Sequence, residues 1–154
     1  MELGIYTVGQ PILSEKCDEV NVNMKEEVTF LINGMFDTLR TNIGVGLSAP
    51  QVGKKWRVFV IDAMKMFEYY PECFGFKKVF INPVIKKYSR DTSIENEGCL
   101  SIPGVLKEVR RSNRITVEYL DENFEKHKDK FHGFIARIIQ HECDHLDGKL
   151  MTEV

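Results

Sequence analysis

Residues 138–148 read Ile-Ile-Gln-His-Glu-Cys-Asp-His-Leu-Asp-Gly and hold two of the chain's four histidines. On an α-helix, residues four apart are separated by about 40° around the axis, so His141 and His145 would present both imidazoles on one face. Glu142 directly follows His141 and flanks the pair without joining it. This H-E-x-x-H order suits a divalent metal with a general base beside it. The competing reading is a surface helix with two solvated histidines. The apolar residues before the motif point inward and speak against it. Two ligands are too few for a metal, so the rest of the chain must supply a third.

The metzincin place for a third His, six residues after the second, is Met151 here. Glu153 is available downstream, but an unpacked terminus is a poor ligand platform. Cys143 is two residues from His141 and points to the opposite side of a helix, so it reads as core. Of the upstream cysteines, Cys99 stands out in "ENEGCLSIPG". Gly98 lets the backbone come close there, and a Leu-Ser-Ile-Pro turn follows. A free cysteine is usually a small buried hydrophobe. Spacing alone leaves Cys99 open between ligand and core.

These residues need a scaffold. Val28, Leu31, Ile32, Met35 and Leu39 recur at helical spacing within residues 24–41 and predict an amphipathic helix that Gly34 weakens without ending. "NIGVGLSAPQVG" breaks the pattern and reads as loop or irregular strand. "WRVFVIDA" and "KVFINPVI" are β-branched and aromatic, hence strands, with residues 64–76 as a long irregular connection. "GVLKEVRR" and "RITVEYLD" are expected to pair as a hairpin, and "FEKHKDKFHG" to add a strand. A helix from about Gly133 to Asp147 then carries the motif, with Gly148 at its C′ position. The expected fold is α+β: an N-terminal helix, several short and mostly antiparallel strands, and a central C-terminal helix carrying H-E-x-x-H.

At 154 residues the chain is expected to form a single domain, 1–154, large enough to bury a core. A net charge of −2 and no long basic run argue for neither nucleic-acid nor membrane-surface binding. No apolar run approaches a membrane span and no secretory signal is visible, so the four cysteines should be reduced and the compartment cytoplasmic.

Three segments, "GVGLSAPQ" (44–51), "EGCLS" (97–101) and "QHECDHLDG" (140–148), resemble in order the three signature motifs of the peptide deformylases, and the likeness extends over nearly the whole chain. That resemblance implies a metal-dependent hydrolase acting in protein biosynthesis. It would remove the N-formyl group from the initiator methionine of new polypeptides, releasing formate close to the ribosome. It implies one divalent ion held by Cys99, His141 and His145, with Fe(II) native and Zn, Ni or Co able to replace it. Glu142 is then the general acid and base, and Gln51 and the Leu100 backbone N–H match the oxyanion donors. Gly46 belongs to the catalytic and substrate-binding set, and Val45 matches a pocket position for the methionine side chain. Ile138 and Phe134, three and seven residues before His141 on the metal-facing side of the helix, are candidates for the same pocket, with simple core packing the competing reading. Glu97 and Asp144 are candidates to orient the imidazoles.

The chain departs from the family pattern in three places. Ser48 stands where Ala is usual, a small change expected to affect packing modestly. Residues 104–106 are Gly-Val-Leu where an Arg is frequent, although Arg110 and Arg111 are near. The sequence stops at "GKLMTEV", where many members continue into another helix, and the core site is expected to stand without it.

The residues leave three other functions to consider. "GVGLSA" fits a loose nucleotide-binding glycine pattern, but with a helix before it and a strand after it, the reverse of strand–loop–helix. A purely structural zinc site would want four protein ligands and only three can be named. A metallopeptidase of H-E-x-x-H type lacks its downstream ligand.

Overall fold

The computed structural model describes residues 1–154. Helix α1 spans Lys25–Arg40, with the expected apolar stripe buried. Glu26 and Glu27 lie in its first turn and Arg40 in its last, signs that suit the helix dipole at each end. Its last carbonyls find side-chain donors: Asn42 Nδ2 donates to Thr38 O (2.7 Å) and Lys65 Nζ to Leu39 O (2.9 Å).

Seven strands follow. They are β1 (Gly46–Ser48), β2 (Val58–Asp62), β3 (Lys77–Tyr88), β4 (Thr92–Cys99), β5 (Ile102–Ser112), β6 (Arg114–Leu120) and β7 (Lys126–His132). Helix α2 spans Gly133–Leu146. An antiparallel sheet runs in the order β1-β2-β3-β6-β7, and β4 and β5 form a separate two-stranded sheet.

The two helices cover opposite faces of the larger sheet. Val58, Val60, Val79 and Ile81 pack with the stripe of α1. Phe59, Ile61, Phe80, Val117 and Phe131 pack with Ile135, Ile138, Ile139 and Leu146 of α2. Because β2 is covered on both faces, it reads as a continuous apolar run instead of an alternating one. Phe59 and Phe80 stack with ring centroids 4.7 Å apart at the centre of the α2 side.

One expected pairing is wrong. "GVLKEVRR" lies in β5 and pairs with β4, while "RITVEYLD" lies in β6, between β3 and β7. Only Asn113 separates the two strands, so the chain passes from one sheet to the other without a turn. The crossing point is held from α2: Gln140 Oε1 accepts from Ser112 N (3.2 Å) and Gln140 Nε2 donates to Ser112 O (2.9 Å). The true partner, β4, is too polar to announce itself as a strand.

Residues 64–76 form the expected irregular connection, with 3-10 turns at Met64–Met66 and Pro71–Cys73. They are anchored on the start of α2. Tyr70 stacks on Phe134 (centroids 4.3 Å), and Glu72 Oε2 accepts from Phe134 N (2.8 Å), satisfying one of the free N–H groups of the first turn.

Helix α2 ends as expected at Gly148, whose φ is +76°, with Lys149 N donating to Asp144 O. A Cβ at Gly148 would lie 2.7 Å from Ser14 O, so the chain needs both the left-handed backbone and the missing side chain. Gly148→Ala is therefore expected to cost about 2 kcal/mol or more. Thermal unfolding measures it, and an unchanged Tm would show that the Ser14 segment yields freely.

Candidate metal centre

Helix α2 delivers His141 and His145 to one buried face, as their spacing requires. Their Nε2 atoms face each other at 3.2 Å, and Cys99 Sγ lies 3.4 Å from His145 Nε2. The three donor atoms all fall within 4.8 Å of one another. Two nitrogens about 2.1 Å from a tetrahedral metal lie about 3.4 Å apart, and a nitrogen and a sulfur about 3.6 Å. The observed edges are close to these, so the residues present fit a small divalent ion. Cys99 is half-buried with its sulfur turned to the two imidazoles, where a donor would stand. The group has three members, the number of protein ligands typical of catalytic zinc sites, which would keep a position for water or substrate when a metal is bound.

Cys143 packs in the core on the sheet side of α2, and burial pushes its thiol pKa up. Glu153 lies in a terminal 3-10 turn, where its carboxylate accepts from Leu150 N. Neither belongs to the centre. All four cysteines are free thiols.

The chemistry of the ring nitrogens follows from Glu97. Its Oε1 lies 2.8 Å from His141 Nδ1. An ionised carboxylate only accepts, so Nδ1 carries the proton and Nε2 offers its lone pair to the centre. Burial alone would raise the Glu97 pKa, but hydrogen bonds from His141 and Arg111 outweigh it and hold it at about 2. Arg111 grips Glu97 with Nε and Nη2, both at 2.9 Å. Burial and the neighbouring His141 push the His145 pKa well below its ordinary value, so that ring is neutral, the form a metal requires. For His141, burial opposes protonation, but Cys99, Glu97 and Glu142 draw its pKa up to about 10. A field that favours a proton there favours a cation equally.

Glu142 sits beside this group and 3% exposed. Burial pushes its carboxyl up to about 7, and its Oε1 has no hydrogen-bond partner in the protein. An unpartnered buried carboxylate is costly, so it points to a task the fold alone does not explain. Its Oε2 lies against Gly46 of β1: a Cβ there would come within 2.7 Å of Oε2 and 3.1 Å of Ile138 Cγ2. Gly46 is therefore a close-approach glycine, and "GVGLSA" leads into β1 and a 3-10 turn, which excludes the strand–loop–helix nucleotide module.

Gln51 closes the site from the other side. Its Nε2 donates to Ser101 Oγ (3.1 Å) and lies 3.5 Å from Cys99 Sγ. Its Oε1 accepts from Ser48 N (2.9 Å) and Ser48 Oγ (3.0 Å). The Ser48 hydroxyl thus does more than alter packing: it orients the amide. Ile138 is buried, and Val45 and Phe134 are partly buried against the same core.

One expectation about charge is corrected. Asp144 does not touch an imidazole; its Oδ2 accepts from Arg111 Nη1 at 2.5 Å. Arg111 is buried in this network and is no grip for a peptide, while Arg110 Nη1 donates to Thr92 Oγ1. Sequence reasoning also missed Arg137, whose Nη1 donates to Glu97 Oε2 at 2.6 Å. A lone Arg among apolar residues of a buried helix was the available signal.

Comparison with known proteins agrees with this geometry. The family model described as polypeptide deformylase matches residues 3–154. A peptide deformylase of Karelsulcia muelleri is 45% identical over 154 residues, covering 99% of this chain and 78% of that protein. One of Flavobacterium psychrophilum is 40% identical, covering 99% and 82%. The crystal structure of the Thermotoga maritima peptide deformylase superposes with a TM-score of 0.89 at 34% identity, covering 99% of this chain and 96% of that one. The Met-Ala-Ser-bound class I type b enzyme of Acinetobacter baumannii gives 0.90 at 32% identity, covering 99% and 98%. On its full-length family match and its close relatives, the chain belongs to the polypeptide deformylase family.

Proposed function

We propose that residues 1–154 act as one catalytic domain that hydrolyses the N-formyl group from the initiator methionine of newly made polypeptides, using a divalent metal held by Cys99, His141 and His145. The observation that carries this reading is the convergence of those three donors beside Glu142, a buried carboxylate with an unpartnered oxygen. The relative crystallised with Met-Ala-Ser holds a peptide that begins with methionine, which supports the substrate class.

Formamide hydrolysis needs an activated water, a stabilised oxyanion and a proton for the departing amine. An ion held by Cys99, His141 and His145 would supply Lewis acidity, enough to bring the pKa of a coordinated water toward neutrality. Glu142 accepts that water's proton and returns it to the leaving nitrogen. Gln51 Nε2, aimed by Ser48, and the Leu100 N–H donate to the formyl oxygen as it gains charge. The Gly46 backbone lets Glu142 and substrate approach closely. Val45, Phe134 and Ile138 take the methionine side chain. A thiolate with two imidazoles suits Fe(II), Co(II), Ni(II) or Zn(II), and Fe(II) is the native ion in this reading. No helix is long and apolar enough to cross a membrane. A cytoplasmic enzyme working close to the ribosome, where formylated chains emerge, fits that substrate.

Glu142→Gln should retain the metal and lose nearly all turnover, by analogy with other proton-transfer groups at least 10²-fold. Formate release from formyl-Met peptides, alongside metal content, is the measurement; wild-type rates would refute the acid–base role.

Metal per chain should collapse in Cys99→Ala but persist in Cys17→Ala, Cys73→Ala and Cys143→Ala. Full occupancy in Cys99→Ala would end the three-donor model.

Ser48→Ala removes one of two hydrogen bonds on the Gln51 oxygen, and kcat/KM should fall on the order of two- to tenfold. A double variant with Gln51→Ala should show no further loss from the serine. An additive loss would mean that Ser48 acts elsewhere.

A further inference from the structure

The metal donors arrive on two elements that share no backbone ladder. His141 and His145 belong to α2, whereas Cys99 ends β4, and the β4–β5 sheet pairs with no strand of the larger sheet. The gap between thiol and imidazoles is therefore set by side chains that join hairpin to helix. Arg137 makes more of these links than any other residue. It lies on α2 one turn before His141 and is 4% exposed.

Its guanidinium reaches both strands of the hairpin. Nη1 donates to Glu97 Oε2 (2.6 Å) and to Val109 O of β5 (2.8 Å). Nη2 donates to Ser93 O (2.8 Å), and Nε lies 3.3 Å from Glu95 Oε2. Ser93, Glu95 and Glu97 are alternate residues of β4 and share the side that faces α2. Cys99 follows two residues later, past an irregularity in the β4–β5 register, and its sulfur reaches His145 of α2. Glu97 in turn fixes the His141 ring.

We propose that Arg137 is a positioning residue for the metal centre: it clamps the Cys99 hairpin onto α2 and holds Glu97 against His141. A buried ion pair is by itself weak evidence of stability, since desolvation offsets most of its attraction. Here, however, the acceptors of one planar fork flank ligands from both elements, a geometry that the point charge of a lysine could not reproduce. The remaining ties, Gln140 to Ser112 and Arg111 to Asp144, engage β5 and leave β4 to Arg137 and Glu97. The proposal rests on the reading of Cys99, His141 and His145 as ligands.

The test uses the full chain loaded with Co(II), whose thiolate absorption band reports cysteine in the coordination shell. A wild-type protein without that band would refute the ligand reading itself, separately from any role of Arg137. Given the band, Arg137→Gln should bind Co(II) about 10- to 100-fold more weakly and release it correspondingly faster to a chelator. The same substitution in a Glu97→Gln background should cost less than it does alone, because part of the clamp acts through Glu97. Val28→Ala, which loosens the core on the α1 face of the larger sheet, is the control and should release the ion at the wild-type rate. If Arg137→Gln does not fold, Arg137→Lys keeps the charge and should show an intermediate loss. Wild-type Co(II) retention in a folded Arg137 variant, full additivity with Glu97→Gln, or equally fast release from Val28→Ala would each overturn the proposal.

Discussion

The centre depends on one buried carboxylate. Glu97 accepts a two-pronged contact from Arg111, a third bond from Arg137 and a fourth from His141. Removing its charge would leave Arg111 with only Asp144 and Arg137 with only the more exposed Glu95 as acid partners, and losing either arginine would leave the carboxylate under-compensated in a low-dielectric interior. The members of the network therefore depend strongly on one another. Its payoff is local order: the His141 tautomer is set, and the hairpin carrying Cys99 is held against the helix carrying the histidines.

Around this hub the fold separates two tasks. The larger sheet, covered by α1 on one face and α2 on the other, is apolar and rigid. It fixes α2, and with it the relative placement of His141, Glu142 and His145. The β4–β5 hairpin is polar and brings the thiol, so the third donor can be adjusted by side-chain chemistry without disturbing the core. Gly46 lies at the seam, where β1 approaches Glu142 too closely for any side chain. Gln51 spans the same seam from the other side, reaching Ser101 and the Cys99 sulfur.

Much of this was readable without coordinates, and the reason is periodicity. The stripe of α1, the C′ glycine of α2 and the shared face of His141 and His145 are local consequences of a 3.6-residue turn. The strands of the larger sheet announced themselves by apolar content, because burial on both faces demands it. Cys99 was different: spacing could not separate it from a core thiol, and only its motif's resemblance to a family raised it to a ligand.

The sequence by itself determined the helix that presents two imidazoles with a carboxylate beside them, and the apolar elements that must bury it. Tertiary structure alone decided the rest. β4 was missed and β5 mispaired because a strand stabilised by ion pairs has neither apolar alternation nor a turn signal, only Ser93, Glu95 and Glu97 facing a partner far along the chain. Arg137, Arg111 and Ser48 have roles defined by atoms distant in sequence, and Asp144, adjacent to the motif's second histidine, serves Arg111 instead of an imidazole. Local geometry follows from short-range rules, whereas the pairing of buried charges depends on which elements the fold brings face to face.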